Sequence, residues 1–241
     1  MLIGVGLVAY LGFRPHQPWI LLLTAGVTAL AVDGLVRSHS RWGEHDALAS
    51  LPYLFLPVLV VFGAGLFIDS AIEGYTRPVA AILAATVAGF VAWGEFQTVD
   101  FASRLYGSVR LALAIVTYLT AFAFFTVIFN EDIDLPVAAF AVGFVSVLLS
   151  IELLRESHLA GPSSPLVGLA IGVSVAELRL ALYFFPLDGL LAGALLIIGF
   201  YLATGIVHHL LDHDLDIATA AEYAIVAAVG AGAVVVTRVF V

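Results

Sequence analysis

The run His208-His209-Leu-Leu-Asp212-His213-Asp214-Leu-Asp216 gathers imidazoles and carboxylates more densely than any other part of this 241-residue chain. On a continuous helix, His209, Asp212, His213 and Asp216 stand at i, i+3, i+4 and i+7 and share a face. Imidazole and carboxylate at that spacing suit zinc, iron or manganese, so His209, Asp212 and His213 are the expected ligands of a divalent metal ion. No H-E-x-x-H box accompanies them. A polar connector hydrated at the level of lipid headgroups is the plainer alternative.

A second constellation is spread along the sequence. Asp33, Glu95 and Glu152 lie near the ends of the second, fourth and sixth apolar stretches, as His208 and His209 lie near the end of the eighth. If those ends converge, Glu95, Glu152 and His158 are the expected catalytic acid–base groups of a shared pocket. A ferritin-like dimetal site is not expected, because the required Glu-x-x-His pairs are missing. The competing reading is neutralisation by a neighbour, since Asp33 and Arg37 are four residues apart and Glu152 and Arg155 three. Glu177 differs from these. It falls roughly midway through the seventh stretch, where a carboxylate costs several kcal/mol unless protonated, paired or hydrated, which makes it the expected ion or proton group and predicts that it faces protein or a water-filled cavity.

The elements that must position these groups are helices in a bilayer. A mean hydropathy of +1.11, with 62% hydrophobic and 11% charged residues, lies far from soluble-domain composition. Nine apolar stretches run over 1–13, 18–36, 51–72, 78–96, 107–129, 136–154, 166–185, 190–209 and 221–241. Most reach the roughly 20 residues that a 30 Å hydrocarbon core demands. They are continuous rather than alternating, which selects helices over barrel strands. Pro18, Pro52, Pro78, Pro136 and Pro165 mark helix entries, where a missing N–H costs nothing. The expected fold is therefore an all-α polytopic bundle of about nine transmembrane helices. The first stretch lacks the basic n-region of a secretory signal and reads as a short or tilted helix.

Two local echoes suggest duplication. Asp33-Gly-Leu-Val-Arg37-Ser-His39 resembles Glu152-Leu-Leu-Arg155-Glu-Ser-His158, and Gly94 to Asp100 resembles Gly205 to Asp212. A parallel repeat of four helices follows, 1–106 and 107–220, with 221–241 left over. In that arrangement the connectors after the even-numbered helices share one side, and His39, His45, His158, His208, His209 and His213 all fall there. Arginine barely distinguishes the two sides, so the positive-inside rule gives only a lean toward a cytoplasmic His-rich side.

Composition also closes several function classes. All nine basic residues are arginine, so no lysine is present for a Schiff base, a retinal pigment or a P-loop. There is no cysteine for disulfides, thiolate ligation or nucleophilic attack. A net charge of −9 without basic clusters argues against nucleic acid and polybasic lipid capture. Ser163-Ser164 has no nucleophile elbow around it, and no haem or carotenoid box is visible. Histidines gathered at one membrane face favour an enzyme or binder of a lipid or isoprenoid, metal-assisted or not. The alternatives are a proton-coupled or cation transporter working through Glu177, and an accessory subunit of a larger membrane complex or homo-oligomer. Membrane lipids are expected partners under every reading.

Overall fold

A computed structural model describes residues 2–12, 17–43, 47–155, 164–211 and 216–240. Among them the chain forms nine helices and no strand: α1 (Leu2–Gly12), α2 (Pro18–Arg37), α3 (Leu51–Ala71), α4 (Thr76–Gln97), α5 (Tyr106–Asn130), α6 (Leu135–Leu154), α7 (Ser164–Leu182), α8 (Gly189–Leu211) and α9 (Ile217–Phe240), with a single 3-10 turn at Ala47–Ser50 before α3. Helices α2 to α8 are long and apolar enough to cross a membrane, while α1 is shorter. The protein is a multi-pass helical membrane protein. Its helix starts follow the proline signals closely, and α2, α3 and α6 each carry proline in the first turn.

Two compact units divide the chain at residue 120, inside α5. In the first, α1 packs on α2 and α4, α2 on α3, and α3 on α4. The N-terminal half of α5 joins this unit through Gly94, where an added Cβ would lie 3.0 Å from Leu113 and 3.3 Å from Val109. In the second, α7 packs on α6 and α8, and α8 packs on α9. The C-terminal half of α5 lies along α8, with Phe125 edge-on to Phe200 at 6.1 Å and Thr126 over Gly193.

Small residues set these approaches, as expected where lipid tails supply no hydrophobic drive between helices. The α6–α7 contact is the tightest case. A Cβ on Gly172 would stand 2.7 Å from the Gly143 carbonyl and collide with Val147. Buried hydroxyls are disposed of locally. Thr24, Thr28, Thr117, Ser146 and Thr204 each donate to the carbonyl four residues back, at 2.7 to 2.9 Å.

A direct check of this packing is the pair Gly172→Val and Gly89→Ala. The first should separate α6 from α7 and cost about 1–3 kcal/mol. The second adds a methyl where nothing lies within 4 Å and should be neutral or slightly stabilising. Thermal unfolding in detergent reads both, and equal midpoints would refute the close contact.

Candidate functional site

The polar end of the first unit is built on one carboxylate. Asp33, one turn before the end of α2, accepts from Arg37 Nε at 2.8 Å and from the Ser50 hydroxyl at 2.6 Å. Arg37 Nη2 in turn donates to Ser50 Oγ at 3.1 Å. Ser50 is buried and ends the 3-10 turn, so this triangle fastens the start of α3 to the end of α2. Between the two the chain reverses at Gly43, whose φ of 62° is a conformation that a Cβ disfavours.

That reversal folds Trp42 back over the helix ends. Its indole is nearly buried, in a cluster with Val32 and Val36 that Tyr53, Leu54, Ala92 and Val99 complete, and it meets the Tyr53 ring edge-on at 5.6 Å. Next to it, Arg41 Nε lies 3.2 Å from Asp100 Oδ2, while Asp100 Oδ1 accepts the Ala102 N–H at 3.0 Å. His39 Nδ1 accepts the Arg41 N–H at 3.1 Å, and its ring is edge-on to Phe96 at 4.6 Å. Arg41, Trp42, Tyr53, Val99, Asp100 and Phe101 are among the residues that line a cavity of about 400 Å³. The Arg41 side chain is 60% exposed and Asp100 23%, so a charged pair stands at the mouth with aromatic rings behind it. Three other described grooves, two beside α1 and one between α6 and α7, are lined almost wholly by apolar side chains.

The residues singled out by sequence are distributed differently. Glu95 is fully buried on α4 in the first unit, one residue from the Gly94 contact with α5, and its backbone carbonyl accepts the Thr98 hydroxyl at 2.9 Å. Glu152 is buried at the end of α6 in the second unit and forms an ion pair with Arg155 at 3.0 Å. The neutralising pairs Asp33–Arg37 and Glu152–Arg155 are thus both formed. His208 and His209 are half-buried at the end of α8, with His209 edge-on to Tyr223 of α9 at 5.9 Å. His158, Asp212 and His213 lie outside the described residues.

Two expectations change. Asp216 is not on α8: it caps α9, its carboxylate accepting the Thr219 N–H at 2.7 Å, so the i, i+3, i+4, i+7 face does not extend to it. Among the described residues, no group of three or more histidines and carboxylates is placed to hold a metal. Glu177 lies four residues past the midpoint of α7, and it is exposed rather than turned into its own bundle. Arg41, Trp42 and Asp100 belong to no motif of ligand or catalytic spacing in the sequence. Their signal was a tryptophan beside an arginine just past a helix end, the usual dress of a membrane interface.

A family model described as a protein of unknown function (DUF5656) matches residues 5–237. The chain belongs to this family. No curated protein and no solved structure matches it. The DUF5656 match runs from α1 into α9, so it covers most of both compact units and the whole Asp33–Ser50–Arg37 triangle.

The Asp216 cap makes a pH prediction. Hydrogen bonds from Thr219, the backbone N–H foremost, hold the carboxyl below its ordinary range. A lowered carboxylate stabilises the fold above its unfolded value of about 3.9 and loses that contribution only as pH falls through the lower folded value. The Thr219 amide resonance should therefore stay fixed down to about pH 4 and shift only below it. Asp216→Asn should flatten the titration. A midpoint at or above the ordinary carboxylate value would contradict the cap.

Proposed function

We propose that this protein binds an amphiphile, a lipid or isoprenoid with an anionic head, in the pocket at the ends of α2 and α4. What supports the reading is the lining: a half-exposed guanidinium paired with one carboxylate at the mouth, aromatic rings behind it, and membrane-length apolar helices below. An anionic head can replace Asp100 as the acceptor of Arg41, because an exposed ion pair is worth only about 0–1 kcal/mol. Trp42 and Tyr53 offer the amphipathic surface that suits the junction of head and tail. The tail then follows the apolar helix surface into hydrocarbon. In this reading the histidine-rich end of α8 is not the primary site, and any acid–base contribution from Glu95 is made from inside the bundle.

The test uses full-length protein in detergent with Trp19 and Trp93 replaced by phenylalanine, so that fluorescence reports Trp42. Diacylglycerol phosphate should change the emission saturably and diacylglycerol should not. Arg41→Ala should weaken binding about 10- to 100-fold, the worth of a charge-assisted hydrogen bond, with little change in thermal midpoint. Equal binding by wild type and Arg41→Ala, or equal response to the two lipids, removes the proposed head site.

A second reading, a subunit of a larger membrane complex, draws on Glu177. It stands in an exposed stripe with Leu166, Leu169, Val173 and Leu180, and among the described residues it has no hydrogen bond or ion pair. Charge complementarity calls for a neighbouring transmembrane helix bearing a basic side chain at matching depth. Glu177→Leu should then abolish recovery of that partner from native membranes, whereas an isolated chain should become more stable. Stabilisation without any lost partner counts against this reading.

A further inference from the structure

We infer a small-anion site inside the second unit, between α5 and α7. Arg179 is 4% exposed, and its guanidinium carbon lies 4.3 Å above the Phe129 ring. Its Nε and Nη1 are both buried without a hydrogen-bond partner among the described residues. Other arginines are treated differently: Arg37, Arg41, Arg77 and Arg155 each face a carboxylate within 3.7 Å. The ring quadrupole offsets part of the charge, and the C-terminal turn of α5 adds a partial negative potential. Neither accepts a hydrogen bond from Nε or Nη1.

A second departure occurs on the same helix as Phe129, one turn away. Thr126 is fully buried, and its hydroxyl has no partner among the described residues, although six other buried hydroxyls of this protein bond to the carbonyl four residues back. Thr126 and Phe129, three residues apart, share a face of α5. The Arg179 guanidinium thus lies over a ring one turn along α5 from the spare hydroxyl. Guanidinium N–H and hydroxyl are both donors, and the charge they surround is positive, so the ligand they fit is an acceptor carrying negative charge.

Size narrows the class. None of the four described cavities is lined by Arg179, and α8 closes on Thr126 at Gly193, where even a Cβ would collide with the hydroxyl. Packing this close excludes a lipid phosphate and restricts the proposed ligand to a single small ion. The site takes a halide-sized monovalent anion. The carboxylates Glu131, Asp132, Asp134 and Asp188 are exposed, and Asp188 is engaged by the Leu191 N–H at 2.8 Å.

The experiment is thermal unfolding of the full chain in detergent, in sodium chloride against sodium gluconate at equal ionic strength. Chloride should raise the midpoint saturably, by about 3 °C at tenfold excess over its dissociation constant. Arg179→Gln should abolish the chloride effect. Thr126→Val, which keeps the shape and removes the donor, should weaken apparent chloride affinity at least about threefold. Should Arg179→Gln fail to fold, Thr126→Val decides. Identical midpoints in the two salts would show that water alone serves these groups and would overturn the site, as would a chloride effect undiminished in both variants.

Discussion

Hydrocarbon offers no hydrogen-bond partners, and that constraint governs how this chain spends its few polar groups. Backbone groups are satisfied within helices. Hydroxyls turn back on their own helix, as at Thr24 and Thr28. Arginines take a nearby carboxylate, as Arg37 takes Asp33 and Arg155 takes Glu152. Acids at helix starts become caps, as Asp188 does for α8 and Asp216 for α9. Against this background the exceptions carry the functional information.

The pocket of the first unit is one consequence. Because Asp33 serves both Arg37 and Ser50, the link between α2 and α3 is fixed at both ends. Trp42 packs against Val32 and Val36 of α2, and Arg41 is left at the rim opposite Asp100. A charged mouth on an aromatic floor thus follows from a clasp that touches no ligand. The same logic, read in the second unit, makes the unshared polarity of Arg179 and Thr126 stand out.

Much of the proposed site was out of reach of spacing arguments. The expected metal face rested on helical periodicity, and periodicity assumes that a helix continues. Asp216 shows the failure: an acid three residues before Thr219, ahead of an apolar run, is a start signal, and it belongs to α9. Glu95 illustrates another limit. Its position near a helix end was legible, while its complete burial depends on Gly94 admitting Val109 and Leu113, which no pattern within α4 reveals.

The sequence by itself determined the solvent, the helical class, the helix boundaries to within a few residues and the pairs Asp33–Arg37 and Glu152–Arg155. These depend on run length, proline position and separations of three or four residues, all local quantities. Only the tertiary structure decided that Ser50 completes the clasp, that Trp42 and Asp100 share a cavity with Arg41, that Glu177 faces outward and that Arg179 is enclosed. Each of these depends on which face of one helix meets another. That is settled by the fit of small and large side chains across residues far apart in the chain, and no single stretch of sequence encodes it.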